Sequence, residues 1–272
     1  MLNITEKEFK KLAEYMKKYY GINFKPEKKS LVIGRLQNII SQGNFDSFSS
    51  YFDYIQADKT GEAVKTLINK LTTNHTFFMR ESEHFMYFKD KILPYLASVE
   101  ASKKDLRIWS AGCSSGEEPY TLAMIMADYF GANKGFWDTR ILATDISTKA
   151  LEKAIRGVYS KESISVLPKH WQLNYFNRLN DKEYAISDEI KKEVIFRRFN
   201  LNSAEFPFRK KFHVIFCRNV MIYFDAETKR KLINKFYEIT EPGGYLFIGH
   251  SESINRNETG YKYVMPALYR KE

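Results

Sequence analysis

The sequence predicts an α/β fold that is preceded by a small all-helical domain. Helical apolar spacing dominates residues 1–72, whereas residues 91–272 alternate short apolar runs with helical segments. With 272 residues and 44% hydrophobic content, the chain can bury a sizeable core as a small domain joined to an ordinary α/β domain. Residues 73–90 are expected to link the two.

Four amphipathic segments make up the predicted helical domain. Thr5 and Glu8 form a capping-box pattern before the first segment, and Gly21 is placed to end it. Pro26 is expected to begin the second segment, and Asp46 to cap the third. Short helices that each carry one apolar face are stable when they pack together, so a small bundle is expected.

The α/β part begins with RIWSAGCSSGEEPY, residues 107–120, which predicts a strand, a tight loop and a helix in direct succession. Gly112 and Gly116 allow the loop to turn sharply and a ligand to approach the backbone. Glu117 and Glu118 lie at the helix amino terminus, where carboxylates repel phosphate and accept hydrogen bonds from hydroxyl groups or bind a cation. A purely structural turn is the alternative interpretation.

The next strand, RILAT, ends at Asp145. An acid at the carboxyl end of the second strand of an α/β unit is placed to accept hydrogen bonds from a ribose diol. Its distance from the first loop exceeds the roughly 20 residues of the dinucleotide fingerprint, and no GxGxxG motif is present. The pattern therefore predicts an adenosine-containing cofactor without phosphate.

Residues 168–200 carry alternating apolar patterns separated by turn-like Asn and Asp residues. They predict a small antiparallel β-subdomain inserted before the main sheet resumes. The sheet then continues with a strand, a helix and two further strands, over residues 212–217, 226–240, 245–248 and 261–268. The last strand can pair antiparallel at the sheet edge.

The charge balance indicates an acidic partner, because the net charge is +10 and the isoelectric point is about 9.3. Nucleic acid and an acidic protein surface both fit. The lysines are spread along the chain without a recognition helix or an RRM motif, so a simple solvated basic surface also remains open.

Location and metal content follow from what the sequence lacks. No apolar run approaches the ~20 residues that span a bilayer, and no signal pattern opens the chain, so a cytoplasmic protein is expected. Cys113 and Cys217 are the only cysteines and are expected to be reduced thiols. The five histidines show no ligand spacing along the chain, so no metal is expected.

Five blocks carry a family resemblance: NHTFFMRESEHF, WSAGCSSGEEPYTLA, ILATDIS, FCRNVMIYFD and GGYLFIGHSES. In this order, over nearly the whole chain, they resemble the CheR-type chemotaxis receptor methyltransferases. Those enzymes transfer a methyl group from S-adenosylmethionine to glutamate side chains on the cytoplasmic part of bacterial chemoreceptors. The resemblance implies a class I, Rossmann-like S-adenosylmethionine-dependent methyltransferase domain over residues 91–272, with residues 73–90 contributing to the cofactor pocket.

Candidate site residues follow from the loop motifs and from the resemblance. The cofactor candidates are Asn74, Thr76, Arg80, Gly112, Glu118, Asp145, Asn200, Leu201, Cys217, Arg218 and Asn219. The family pattern puts Asn200 and Leu201 near the adenine. Arg80 could clamp the carboxylate of the cofactor methionine or that of the incoming glutamate. Tyr223 could donate its hydroxyl to the substrate carboxylate, which makes Arg80 and Tyr223 the catalytic candidates.

The resemblance also implies partners. A receptor helical bundle would dock on a basic face formed by Lys28, Lys29 and Arg35, and on the β-subdomain, which in some family members binds a peptide at the receptor carboxyl terminus. The protein would be a monomer, would release S-adenosylhomocysteine, and would meet the membrane only through the receptor. Two alternatives remain: a nucleic-acid methyltransferase, although the proline motif of amide and amine enzymes is missing, and a non-catalytic adaptor.

Overall fold

Four helices form the first part of the chain in the computed structural model, which describes residues 3–272. They span Glu6–Tyr20 (α1), Lys29–Gln42 (α2), Phe48–Ala57 (α3) and Glu62–Leu71 (α4). Their apolar faces share one core, in which Met16, Val32, Ile40 and Leu67 are fully buried. The helical domain predicted from the sequence is therefore confirmed.

The helix ends follow the sequence signals with two exceptions. The capping box that opens α1 and the left-handed glycine that ends it are both present. Pro26 begins a short 3-10 turn, and α2 starts after that turn. Asp46 does not cap α3, because the Ser47 hydroxyl accepts the Ser50 N–H at 3.0 Å and takes that role. Serine and aspartate are both good caps, so the sequence left this choice open.

The linker after α4 is irregular as far as residue 81 and then becomes helical. Its helices span Ser82–Tyr87 (α5) and Leu93–Val99 (α6), and a π-helical turn over Phe88–Ile92 joins them. The segment that was predicted as a linker thus contains a helix, whose buried residue Phe85 packs against Phe216 of the sheet at 6.2 Å between ring centroids.

The remaining elements alternate strands and helices. The strands are β1 Ile108–Ala111, β2 Ile141–Asp145, β3 Val158–Ser160, β4 Phe176–Arg178, β5 Glu183–Ile186, β6 Val194–Arg198, β7 Phe212–Cys217, β8 Thr240–Ile248, β9 Lys262–Met265 and β10 Leu268–Arg270. The helices are α7 Glu117–Phe130, α8 Thr148–Arg156, α9 Lys161–Ile164, α10 Lys169–Asn174, α11 Asp188–Lys191 and α12 Ala226–Ile239.

Seven strands form the main sheet, in the order β6-β2-β1-β7-β8-β10-β9. The first five run parallel, so their carboxyl ends meet at one edge, where open α/β sheets bind ligands. Strands β10 and β9 are antiparallel, as expected for the reversed end of the sheet. The segment 261–268 was predicted as one strand, but the chain reverses at Ala267, whose φ is 62°, and forms two.

A second, three-stranded antiparallel sheet has the order β3-β5-β4. It confirms the predicted antiparallel insertion but shifts its position. The prediction placed it at residues 168–200, whereas its strands lie between Val158–Ser160 and Glu183–Ile186. Strand β6 joins the main sheet instead, in parallel register with β2. An alternating apolar pattern identifies a strand, but it does not say which sheet that strand joins.

Helix α10 fastens the small sheet to the α/β core. Asp128 on α7 accepts hydrogen bonds from Trp171 Nε1 at 2.6 Å and from the Tyr175 hydroxyl at 2.6 Å. The sequence pattern had suggested a strand over the segment that contains Trp171, but this residue lies on α10 and packs into the core.

The helical domain contacts the α/β domain near the carboxyl edge of the sheet. Lys17 pairs with Asp225 at 2.7 Å, and the Asn202 side chain donates to the Lys18 carbonyl at 3.0 Å. The Asn23 N–H donates to the Tyr223 carbonyl at 2.8 Å. The helical domain therefore lies against the edge of the sheet at which ligands bind. Within residues 3–272, no helix combines the length and apolar character needed to cross a membrane.

Candidate active site

A cleft of about 780 Å³ opens between the helical domain and the carboxyl edge of the parallel strands. Ten of the eleven cofactor candidates named from the sequence line it, and Tyr223 lines it as well. The exception is Cys217, which is fully buried in the core behind the sheet. Burial raises the pKa of the Cys217 thiol, and Cys113 lines the cleft instead.

The loop after β1 is fixed by its glycine and by the neighbouring strand. Gly112 has φ of 92°, and a Cβ there would lie 2.3 Å from a methyl group of Val220. The N–H groups of Gly112 and Cys113 both donate to the Thr144 carbonyl, at 2.7 and 2.9 Å. Gly112 is therefore needed both for its backbone conformation and for the close packing of the segment that carries Asn219.

Asp145, the last residue of β2, holds the same loop in place. Its carboxylate accepts the Ser114 N–H and the Ser147 N–H, each at 2.8 Å. Burial raises the pKa of this carboxyl group, while these backbone donors act in the opposite direction. Each oxygen retains lone-pair capacity, so Asp145 can also accept hydrogen bonds from a diol in the cleft.

The two adjacent glutamates of α7 have different surroundings. Glu117 is buried, does not line the cleft, and accepts the Ser115 hydroxyl at 2.7 Å. Burial raises the pKa of Glu117. Glu118 lines the cleft and accepts the Ser110 hydroxyl at 2.7 Å and Arg218 at 3.0 Å. Only Glu118 can therefore meet a ligand.

The linker covers the other side of the cleft. Asn74 is held against the α/β domain, since its carbonyl accepts the Ser114 hydroxyl at 2.9 Å and its amide donates to the Ser147 hydroxyl at 3.3 Å. Thr76 lines the cleft beside it. Arg80 donates to the His75 carbonyl at 2.8 Å. Among residues 3–272, Arg80 has no carboxylate partner, so its guanidinium is available to an anionic group.

Arg218 has the opposite character. Its side chain is almost completely buried and pairs with Glu81 and with Glu118, each at 3.0 Å. It also donates to the Arg80 carbonyl and lies over the Phe85 ring. The Arg218 guanidinium therefore holds the linker against α7, and a contact of Arg218 with the cofactor stays a prediction.

The proposed adenine side is formed partly by the bundle contact. Asn200 and Leu201 line the cleft, as expected from the resemblance. The Asn200 amide, however, donates to the Tyr19 carbonyl at the end of α1, at 2.7 Å. Leu201 is buried and packs into the core behind the sheet. Leu201 therefore offers an apolar surface, while the Asn200 side chain also joins the two domains.

The segment after β7 presents Asn219 and Tyr223 to the cleft. Asn219 is left-handed, with φ of 57°, and its N–H donates to Glu252 at 2.9 Å. Glu252 also accepts the N–H groups of Gly249 and Ile222, at 2.6 and 3.1 Å. Tyr223 is half-buried, and its ring packs against the core of the helical domain.

Sequence reasoning assigned no role to Glu252 or to Glu81. Both lie within the blocks that carry the resemblance, but nothing in their spacing shows that they converge on Asn219. The Asn219 side-chain amide donates to Glu81 at 3.1 Å, so one asparagine is held by two carboxylates from distant parts of the chain.

Two histidines that looked unrelated in the sequence meet beside Glu81. His84 is completely buried, and its ring centroid lies 4.6 Å from that of His250. The side-chain atoms of Glu81, His84 and His250 that could bind a metal ion lie within 4.8 Å of one another. Their spacing in the sequence could not reveal this grouping. Arg218 pairs with Glu81 at 3.0 Å, which disfavours a further cation there.

Acid is expected to destabilise the fold through His84. Burial, aided by the charge of Arg218 and by His250 and opposed by Glu81, lowers the pKa of His84 from 6.5 to about 4. Between these values the unfolded chain binds a proton that the folded state does not, so the free energy of unfolding falls as pH decreases, by about 3 kcal/mol in total.

Urea unfolding at several pH values tests this assignment. The free energy of unfolding should decrease less with acid in His84→Gln than in the wild type. The exposed-site variant His170→Gln should retain the decrease, and identical pH profiles for all three proteins would contradict this assignment.

The cations predicted to form a docking face have unequal environments. Lys29 pairs with Glu6 at 2.5 Å. Arg35 donates to the Leu71 carbonyl at 2.6 Å and to the Thr73 hydroxyl at 2.8 Å. Lys28 lines the mouth of the cleft. Arg35 thus holds the linker as well as lining the cleft, and the docking face stays a prediction.

Two family models and several known proteins match this chain. Residues 74–269 match the family model described as "CheR methyltransferase, SAM binding domain", and residues 7–72 match "CheR methyltransferase, all-alpha domain". The chain is 42% identical to a chemotaxis protein methyltransferase of Borreliella burgdorferi, over 99% of this chain and 96% of the relative. It is 37% identical to chemotaxis protein methyltransferase 2 of Vibrio cholerae, over 93% and 88% of the two chains. The Escherichia coli chemotaxis protein methyltransferase is 33% identical, over 98% and 92%.

Proposed function

The chain belongs to the CheR methyltransferase family, and we infer from this membership and from the cleft that it is a protein-glutamate O-methyltransferase. It transfers a methyl group from S-adenosylmethionine to glutamate carboxylates of bacterial chemoreceptors, forming methyl esters in chemotactic adaptation. The observation that carries this function is one cleft lined both by Asp145, whose carboxylate can accept further hydrogen bonds, and by Arg80, which has no carboxylate partner within residues 3–272.

The residues of the cleft fit S-adenosylmethionine. Asp145 would accept hydrogen bonds from the ribose hydroxyls, the protein backbone at Gly112 would lie close to the ligand, and Leu201 would contact the adenine. Asn74, Thr76 and Glu118 would complete the pocket around the polar end of the ligand. Carboxylates at the loop suit a ligand that has hydroxyl groups and a positive sulfonium but no phosphate.

The acceptor chemistry asks little of the protein. A glutamate carboxylate is already ionised near pH 7, and the sulfonium supplies an activated methyl group, so no general base is needed. The protein must align the acceptor oxygen with the methyl carbon, and orientation of this kind can lower the barrier by several kcal/mol. Arg80 and Tyr223, which both line the cleft, are proposed to hold the acceptor while leaving one oxygen free to react.

Tyr223→Phe is expected to lower kcat by about 10- to 100-fold, because it removes one hydrogen bond to a charged group. The ring is retained, so its packing against the helical domain and the affinity for S-adenosylhomocysteine should change little. Steady-state methylation of receptor-containing membranes measures the effect, and Tyr263→Phe at an exposed position is the matched control. Wild-type turnover in Tyr223→Phe would remove the hydroxyl from the mechanism.

The acidic partner is proposed to be the receptor helical bundle. Lys25, Lys28 and Lys229 line the mouth of the cleft and would attract a glutamate-rich surface. We further propose that the protein acts as a cytoplasmic monomer without a metal. It would meet the membrane only through the receptor, for which the β-subdomain would be a second contact.

A competition experiment tests this choice of partner. Purified protein and radiolabelled S-adenosylmethionine are incubated with receptor-containing membranes, RNA and DNA in one mixture, and the acceptors are then separated. Label in the receptor alone supports the proposal. Label in nucleic acid that decreases steeply with salt would instead support the rival nucleic-acid methyltransferase.

A further inference from the structure

Glu81 occupies a strained position directly after Arg80. Its φ is 53°, and Met79, two residues earlier, has φ of 59°. Left-handed backbone is costly for residues other than glycine, and it persists where the surrounding structure enforces it. Two such residues therefore flank the arginine that is proposed to grip the substrate.

The Glu81 carboxylate collects three donors from elements that are far apart in the chain. Arg218 Nη2 lies 3.0 Å away, Asn219 Nδ2 lies 3.1 Å away and the His250 N–H lies 3.3 Å away. These contacts hold the linker to the carboxyl ends of β7 and β8. A charged acceptor makes stronger hydrogen bonds than a neutral one, so the negative charge of Glu81 strengthens the three contacts at this junction.

The junction connects the chain segments that carry the two catalytic candidates. On one side, Arg80 is adjacent in the chain, and its carbonyl also accepts a hydrogen bond from Arg218. On the other side, Asn219 begins the segment that ends at Tyr223, and Glu252 holds the backbone of that segment through the N–H groups of Asn219 and Ile222. Loss of Glu81 would free the Asn219 amide, and the segment would then be held by the backbone hydrogen bonds to Glu252 and by the packing of its apolar side chains.

We propose that Glu81 is a positioning residue for methyl transfer, which fixes Arg80 and the 219–223 segment at the separation that the acceptor carboxylate requires. The inference rests on the proposed function, because it assumes that Arg80 and Tyr223 hold the acceptor. Glu81 itself contacts neither cofactor nor substrate in this proposal.

The test compares Glu81→Gln with Glu83→Gln, a matched change two residues away at an exposed position of α5. The glutamine retains the length of the side chain, but its NH₂ group faces donors. We expect kcat to fall about 100-fold, the loss that a displacement near 1 Å can cause, while the Kd for S-adenosylhomocysteine stays within about threefold of wild type. Glu83→Gln should match the wild type in both quantities.

A double-mutant cycle separates positioning from general loss of stability. If Glu81 acts through the segment that bears Tyr223, the variant with both Glu81→Gln and Tyr223→Phe should be little slower than Glu81→Gln alone. The proposal would be overturned if the kcat loss of the double variant equalled the product of the two single losses. It would also be overturned if cofactor affinity fell in parallel with kcat.

A structural measurement keeps this inference distinct from the proposed function. Hydrogen exchange of the peptide covering residues 216–225 should accelerate about tenfold or more in Glu81→Gln and remain unchanged in Glu83→Gln. Unchanged exchange in Glu81→Gln would overturn the positioning role even if the wild type methylates receptors. Failure of the wild type to methylate receptors, together with accelerated exchange in the variant, would overturn the proposed function but leave Glu81 as the residue that holds the segment.

Discussion

Asp145→Ala is expected to lower the affinity for S-adenosylmethionine by about 100-fold or more. The substitution removes the acceptor proposed for the ribose diol, and hydrogen bonds to a charged group contribute about 1.5–3 kcal/mol each. It also leaves the N–H groups of Ser114 and Ser147 without their partner, so the loop should lose order. Isothermal titration with S-adenosylhomocysteine measures the loss directly.

The Asp145 experiment needs a control for unfolding. Asp145→Asn keeps the volume and one acceptor oxygen, and should therefore bind the ligand more tightly than Asp145→Ala but more weakly than the wild type. Asp181→Ala, at an exposed turn of the small sheet, should bind like the wild type. Near-normal binding by a folded Asp145→Ala protein would show that this acid serves only the loop.

Arg80→Ala is expected to lower kcat/KM for receptor by about 100- to 1000-fold. A guanidinium that meets a carboxylate in a partly buried cleft forms a bidentate, charge-assisted pair, and truncating such a pair typically costs about 2–5 kcal/mol. Initial rates of methyl transfer at varied receptor concentration give the value. Arg80→Lys should recover part of the loss, because it restores the charge but not the planar fork.

The same variant decides which carboxylate Arg80 holds. If the partner is the methionine carboxylate, the Kd for S-adenosylhomocysteine should rise together with the kinetic loss, because the product retains that carboxylate. If the partner is the receptor glutamate, ligand affinity should remain near wild type and only the receptor kinetics should change. Arg140→Ala, at an exposed ion pair with Asp138, should alter neither quantity. Wild-type kinetics in Arg80→Ala would contradict both assignments.

Local features of the site could be predicted because they depend on short sequence patterns. Gly112 predicted a sharp loop, and a buried strand that ends in Asp145 predicted an acid at the edge of the sheet where ligands bind. Both expectations rest on rules for parallel α/β units, in which strand ends meet at one edge. The structure places these two residues in one cleft, together with the linker residues that the resemblance indicated.

Long-range contacts account for what the sequence could not supply. Glu81 and Glu252 are separated by most of the α/β domain, yet both hold Asn219. Arg35 looked like a surface cation on a helix, but it reaches carbonyl groups at the end of α4. Such pairings arise when distant elements pack, and periodicity within one segment carries no information about them.

The predicted position of the β-insertion, residues 168–200, was wrong for a related reason. The segment Val194–Arg198 has the same alternating character as the strands of the small sheet, but it pairs with β2 at the edge of the main sheet. Strand propensity depends strongly on tertiary context, so topology decided the outcome.

The proposed acceptor atom is a glutamate carboxylate oxygen. Receptor-containing membranes are methylated with radiolabelled S-adenosylmethionine, and the separated receptor is treated with mild alkali. Methyl esters release methanol under these conditions, whereas methylated nitrogen does not. We expect the label on the receptor to be released as volatile methanol. Alkali-stable label, or no label from a protein that binds S-adenosylhomocysteine tightly, would contradict it.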